Sequence, residues 1–468
     1  MSSQSADRIP AKDSLPAARA AEPGSGPEPG GRPGRRALLA GLTGAGAVVG
    51  GLALGTRSAA AVPAAVEAGA GTYVVDVVAK GADPTGATPS DTAFKAAVAE
   101  VLGGAPETGV TPRKVLLIPP GTYLLTEPDL LPPTQNTDPQ NQSVVNGISI
   151  SGFGKRVSHI VYAPTVRDTV LWRNMDRYKN IRISGLTFES QDATATFCRS
   201  YSSATFGVQD TWYTDVEWRG TWKAGIVLDG PTGARSNLNS EMGWDHCQVG
   251  GSYADAFLVM GTEPAEQQQD QFLNFWFRDC KVEFQSGIFV RNEHGGSMNF
   301  IGGSYILTDD DSTGTFFKLN ANPPRSDSVM RLYAQGIRFE VRGPGHKVID
   351  SSWYKGTITF VSCDDTARAY KSWAAAEGVP HVYRFDAVNP SRGPMIRYQD
   401  CALLGSHLVT AANATTAGKL LYDGCRLANM STGTGASGFL RWTGTAPWYE
   451  FRDCTQKAGV RLADAKVP

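Results

Sequence analysis

Beyond its first 61 residues the chain has no apolar run long enough to cross a bilayer, which takes about 20 residues. Neither sign of charge dominates, with 44 basic and 45 acidic side chains among 468 residues. Without residues 1–61 the balance is 37 basic to 41 acidic, which gives no footprint for nucleic acid or an anionic membrane. A neutral or acidic polymer stays open as a partner, because a basic groove can hide in a neutral total. There is no Cys-x-x-Cys and no His/Cys spacing of a zinc site. Seven cysteines is an odd number, so at least one is unpaired. The signatures of leucine-rich, ankyrin and tetratricopeptide repeats are missing as well.

What the chain does contain is a returning phrase: an apolar or aromatic residue, any residue, then Gly, Asp or Ser, then Cys or an aliphatic residue. It reads Ile183-Ser184-Gly185-Leu186, Tyr213-Thr214-Asp215-Val216, Phe277-Arg278-Asp279-Cys280, Phe360-Val361-Ser362-Cys363, Tyr398-Gln399-Asp400-Cys401, Tyr422-Asp423-Gly424-Cys425 and Phe451-Arg452-Asp453-Cys454. Anchored on the fourth position at Phe153, Leu186, Val216, Cys247, Cys280, Gly303, Ile337, Cys363, Cys401, Cys425 and Cys454, it recurs about every 30 residues, a period typical of stacked repeats. Each copy alternates apolar and polar residues, as a short strand with one buried face does, and Gly, Asp or Ser supplies a bend.

A second strand follows in most copies, at 169–172, 225–228, 256–260, 287–290 and 315–319. Two or more strands per repeat with little helix do not fit βαβ units. They predict an all-β parallel β-helix, a solenoid whose coils stack at roughly 4.8 Å. Six of the seven cysteines share the fourth position, where they interchange with Leu186, Val216 and Ile337. That is packing behaviour, and it predicts a buried ladder of free thiols.

Residues 1–61 read as a processing segment. A polar Pro/Gly/Ala-rich stretch runs to 34. Arg35-Arg36-Ala37-Leu38-Leu39, a Gly/Ala-rich run to Gly55 and Ala59-Ala60-Ala61 follow. The pattern resembles a bacterial twin-arginine signal peptide. It predicts a secreted mature protein, with no membrane contact after processing. Export of a chain already folded in a reducing compartment accords with free thiols. Residues 62–468 then form one domain: a head and cap at 72–125, coils at 126–455 and a tail at 456–468.

In the head, Tyr73–Val77 predicts a strand and Gly81-Ala82-Asp83-Pro84-Thr85-Gly86 a turn. A helix follows, N-capped by Ser90 or Asp91, with Phe94, Ala97, Val98, Val101 and Leu102 as its apolar stripe. Such a helix suits the open end of a solenoid. Val115–Ile118 and Pro119-Pro120-Gly121-Thr122-Tyr123 complete the head. Residues 74–98, VVDVVAKGADPTGATPSDTAFKAAV, and 115–125, VLLIPPGTYLL, resemble the N-terminal signature of the pectate lyase-like superfamily. The resemblance implies a right-handed parallel β-helix with an N-terminal capping helix. It also implies a polysaccharide or oligosaccharide partner along one face of the coils.

Polygalacturonases of that superfamily carry Asn-Thr-Asp, Gly-Asp-Asp, Gly-His-Gly and Arg-Ile-Lys on successive coils. The nearest phrases here, Tyr253-Ala254-Asp255-Ala256-Phe257 and Glu293-His294-Gly295-Gly296, depart from them. Trp244-Asp245-His246-Cys247 resembles a pectate lyase phrase, yet it is also one copy of the coil repeat.

Residues one period apart converge on one face, which gathers Asp229, Asp255, Arg291, Glu293 and His294 as candidate catalytic groups. A His or Arg beside a carboxylate suits β-elimination at a uronic acid, and two carboxylates suit glycosidic hydrolysis. Asp229 and Asp255 also read as turn residues. Trp212 and Trp222 fall outside the inward phrase positions and are candidate sugar platforms. Asp309-Asp310-Asp311 offers oxygen ligands for calcium, but three adjacent Asp cannot all point one way, so no metal or cofactor is expected. Residues 261–271 read as a projecting loop. The activity expected is polysaccharide cleavage. The alternative is a non-catalytic glycan-binding surface protein, for which a homotrimer is the natural assembly.

Overall fold

The computed structural model describes residues 73–103, 114–130, 144–174, 177–201, 208–229, 239–261, 272–293, 295–320, 329–367, 381–387, 393–411, 419–429, 431–434, 438–444, 446–456 and 465–467. The leader, its twin arginines and the loop 262–271 lie outside them.

The chain is a right-handed parallel β-helix with three strands per coil. The first ribbon is built from the phrase strands, among them Arg177–Ser184, Gln209–Thr214, Ser240–Asp245, Phe275–Arg278, Gly296–Ile301 and Met330–Gln335. The second runs through Ser158–Tyr162, Thr187–Gln191, Glu217–Trp222 and the first halves of Gln248–Met260 and Lys281–Asn292. The third holds Val170–Asn174, Thr196–Tyr201, Ala224–Asp229, the second halves of those two long strands, Gly314–Leu319, Lys347–Ser351 and His381–Ala387. Ribbons two and three are thus the two ends of one strand wherever no turn separates them.

Each phrase position has a physical task. The third sits at the corner after the first ribbon and takes positive φ: Gly185 (63°), Asp215 (53°), His246 (52°), Asp279 (48°), Gly336 (64°), Ser362 (50°), Asp400 (53°), Gly424 (64°) and Asp453 (47°). Only Gly, and among side-chain residues chiefly Asn and Asp, visit that region readily. The first position points inward and stacks ring on ring: Trp244 on Phe277 at 4.2 Å, Phe277 on Phe300 at 5.0 Å, Phe360 on Tyr398 at 5.1 Å and Tyr398 on Tyr422 at 5.3 Å. Each such pair adds about 0.5–1.5 kcal/mol beyond its buried area.

The fourth position carries the cysteines, all buried and free. Each of those six thiols lies against the carbonyl of the first-position residue one coil back, as Cys247 does with Tyr213 at 3.3 Å and Cys425 with Tyr398 at 3.4 Å. Burial raises the thiol of Cys198, the cysteine outside the phrase, to about 12.

Two anchors differ from expectation. Phe153 is 42% exposed, because residues 152–157 loop out and Ser158 takes the inward place, donating to the Ile118 carbonyl at 2.7 Å. At Gly303 (φ 89°) a Cβ would come within 2.1 Å of the Cys280 carbonyl oxygen, so the ladder skips a rung there. His246 sits exposed at the left-handed corner and Trp244 is fully buried. The lyase-like phrase is therefore produced by the coil.

The helix Asp91–Leu102 buries Phe94, Ala97, Val98 and Val101. Neither Ser90 nor Asp91 caps it through a side chain, contrary to expectation. Ser90 Oγ accepts from the Asp83 N–H at 2.9 Å, and Asp91 accepts from Thr126 N at 2.9 Å and Glu127 N at 2.8 Å. Both side chains tie the cap to neighbouring backbone, while Asp83 organises the preceding turn by accepting from Thr85 and Thr88. At the other end, Ala465–Val467 pairs antiparallel with Trp448–Arg452 and closes the first ribbon.

The corners make two glycines unequal. Gly336 has open space around its absent Cβ, so Gly336→Ala costs only left-handed strain, about 1–2 kcal/mol. Gly251 (φ 83°) would place a Cβ 2.0 Å from the Gly220 carbonyl oxygen, so Gly251→Ala yields no soluble folded protein. Urea unfolding and expression yield check the pair, and equal tolerance would refute the assignment.

His407 lies fully buried, stacked on Tyr383 at 4.2 Å, with both ring nitrogens unpartnered among the described residues. Burial holds it neutral, with its pKa well below the ordinary 6.5. The unfolded chain takes up this proton near 6.5 and the folded one does not, so stability is full above 6.5 and falls as pH drops below it. His407→Phe should therefore lose less Tm between pH 7 and pH 5 than the parent. An identical loss would exclude the residue.

Candidate functional site

On the third ribbon, alternate residues point outward, and register lines them up across coils. One column runs Arg173, Arg199, Val227, Val259, Arg291, Lys318, Asp350, Arg384. Carboxylates at or beyond the strand ends reach back to these cations.

Arg291 Nη2 donates to Asp255 Oδ2 at 2.9 Å, and Arg291 Nε lies 3.4 Å from Glu293 Oε1. Asn320 Nδ2 donates to Glu293 Oε2 at 2.9 Å. One guanidinium therefore stands between two carboxylates. Asp255 is held there by the irregular register between Ser252 and Ala256, and its N–H donates to the Lys223 carbonyl at 2.8 Å.

Partial burial pushes the Asp255 carboxyl above its ordinary 3.8. The Arg291 charge opposes the rise and Glu293 adds to it. Asp255, Arg291 and Glu293 thus come together. Asp229 belongs to another pair: it is buried and accepts from Arg199 Nε at 3.1 Å. His294 lies outside the described residues. Asp309, Asp310 and Asp311 form no three-ligand cluster, and none occurs elsewhere among the described residues.

Sequence reasoning missed the rest of the charged column. Lys318 Nζ donates to Asp350 Oδ2 at 2.7 Å, Arg384 Nη1 lies 3.8 Å from the same oxygen, and Arg384 Nη2 pairs with Asp386 at 2.9 Å. The signal was present, because Arg291, Lys318, Asp350 and Arg384 recur at about the repeat period. What hid it was the search for catalytic motifs rather than for charges one coil apart.

The two tryptophans separate. Trp222 is fully buried, donates from Nε1 to the Arg219 carbonyl at 2.8 Å and stacks on Tyr162 at 6.4 Å. It stands four residues after inward Trp218, so simple strand alternation sends it inside, and it is a core residue rather than a platform. Trp212 precedes inward Tyr213 and faces out from the first ribbon, half-buried. It stacks on Trp276 at 5.7 Å and 14°, its Nε1 donates to Asp210 at 2.9 Å, and the Arg278 guanidinium lies 5.1 Å from its ring. Gly243 separates the two tryptophans in register, and a Cβ there would meet the Trp212 ring at 2.3 Å.

No protein-family model matches this chain, and no curated protein does. Among solved structures it is similar to the catalytic unit of a thermostable α-1,3-glucanase from Streptomyces thermodiastaticus, at 13% identity and TM-score 0.44 over 84% of this chain and 70% of that one. It is similar to the A-module of a mannuronan C-5 epimerase from Azotobacter vinelandii, at 11% identity and TM-score 0.47 over 80% and 98%. A third is the tailspike of an Acinetobacter phage, at 10% identity and TM-score 0.47 over 83% of this chain and 64% of the tailspike.

The carboxylate–guanidinium–carboxylate geometry predicts opposite responses at Asp255. Glu293→Gln removes a like charge and lowers the Asp255 pKa, whereas Arg291→Met removes the opposing charge and raises it further. Carbon-detected NMR titration of selectively labelled aspartate reads both, and a titration unmoved by either change would dissolve the grouping.

Proposed function

We propose that the protein is a secreted glycoside hydrolase of the pectate lyase-like superfamily, acting on a polysaccharide laid along the third ribbon. The observation that carries this reading is the pair of carboxylates on either side of Arg291, one of them, Asp255, raised above its ordinary pKa by partial burial. Two carboxyl groups at one site are what glycosidic hydrolysis uses.

Asp255 would give its proton to the glycosidic oxygen as the bond to the anomeric carbon breaks. Glu293 would take a proton from the water whose oxygen attacks that carbon, so that one water is added across the bond. Arg291 positions both carboxylates. Elimination at a uronic acid has less support, because it needs a base free of such pairing. Export through the twin-arginine leader completes the reading, and it suits a chain whose cysteines need no oxidation.

A glycan-binding protein without turnover is the second reading, favoured by the ion pairing of the third-ribbon carboxylates named above. A polysaccharide panel followed by reducing-end release and by the absorbance of unsaturated uronates separates the outcomes. Release of reducing ends without unsaturated product is expected, reduced about a hundredfold or more by Asp255→Asn and by Glu293→Gln. Unsaturated product would replace hydrolysis by elimination. Binding without any product would establish the second reading.

A further inference from the structure

The first ribbon carries a surface that the carboxylate pair does not use. Two of its outward columns run side by side: Trp212, Gly243, Trp276, Asn299, Tyr333, Thr359 in one, and Thr214, Asp245, Arg278, Ile301, Gln335, Val361 in the other. Over the coils from Asn299 to Val361 neither column holds a charge; its members are amide, hydroxyl, aromatic and aliphatic groups. Ile301 is 39% exposed, Gln335 is exposed, and Trp276 and Tyr333 are half-exposed.

Aromatic residues recur there on every second coil, and the small residue between them decides what happens. Gly243 lets Trp212 and Trp276 close onto each other. Asn299 takes the place between Trp276 and Tyr333 in register, its Nδ2 donating to the Phe275 carbonyl at 3.2 Å. Two strand spacings hold Trp276 and Tyr333 roughly 9.6 Å apart at the backbone. A sugar ring stacks on an aromatic face at about 3.5–4.0 Å, and Trp276 and Tyr333 each stay half-exposed. Tyr333 Oη donates to Gln335 Oε1 at 2.9 Å, which presents the Gln335 amide N–H beside the slot.

We infer that this slot, walled by Trp276 and Tyr333 and floored by Asn299, is a binding site for a neutral glycan, separate from the carboxylate pair on the third ribbon. Uncharged amides and hydroxyls match sugar hydroxyls, and the aromatic walls match the apolar faces of the sugar ring. The site does not depend on turnover at Asp255.

Affinity electrophoresis of the full chain tests it, in gels cast with a mixed-linkage β-glucan, a mannan, a xylan or polygalacturonate. At least one neutral polysaccharide should retard the parent protein. Trp276→Ala and Tyr333→Ala should each weaken that retardation about tenfold, with far-UV circular dichroism unchanged. Lys281→Ala on the second ribbon should leave retardation intact. Retardation by polygalacturonate alone, no retardation by any gel, or retardation unaltered in both aromatic variants would overturn the assignment. Failure of the hydrolase reading leaves this test untouched, because retardation is read without turnover.

Discussion

The structure depends on a repeated left-handed residue. A coil can stack on the next only if the chain leaves the first ribbon at the same angle each time, and that angle needs positive φ at one position. Gly, Asp, Ser and once His fill it. With the corner fixed, the residue two before it must point inward and the residue after it must point inward again. The aromatic pile and the thiol ladder are thus two consequences of one backbone requirement. The corner N–H groups from Gly185 to Gly424 form a ladder of their own, bonded to a carbonyl of the coil above, as Asp279 N is to Ile301 and Ser362 N to Gln399, both at 2.8 Å.

This division of labour explains why cysteine serves so well in the core. The fourth position is small, buried and close to a carbonyl of the preceding coil. A thiol fills it as a hydrophobe and still offers a weak donor. Val216 and Ile337 serve equally because the contact is mainly volume. The aromatic positions accept Tyr and Trp with a polar atom left over, and Tyr398, Tyr422 and Trp244 keep theirs unpartnered among the described residues. Packing gained along the pile evidently outweighs those desolvated groups.

The fold was legible because its cause is local: the corner and its two inward neighbours lie within four residues, and copies align by eye. The site was legible only in part. Asp255, Arg291 and Glu293 could be gathered by the repeat period, which locates residues along the axis. Asp229 came with them by the same ruler, although its partner proved to be Arg199, because the ruler says nothing about which cation a carboxylate meets. Trp222 was misread because the phrase was used as the guide to orientation past its own end, where strand alternation continues to govern. The strands at 169–172, 225–228, 256–260, 287–290 and 315–319 proved to be the third ribbon, whereas the second ribbon follows the corner at once, with no turn residue of its own to set it off from the phrase. Asp91 was taken for a cap because its neighbours look like one, and no local pattern shows that its carboxylate spans 35 residues to Thr126.

The charged column of the third ribbon has a consequence for how this chain can change length. A solenoid core is indifferent to the loss of a whole coil, since aromatic would again meet aromatic and thiol meet thiol. The outward charges are not interchangeable in that way. Lys318, Asp350 and Arg384 lie on three successive coils with the signs alternating. Excising the middle coil would set ammonium against guanidinium. The ion pairs thus fix the order of these three coils, a constraint that the interior alone would never impose.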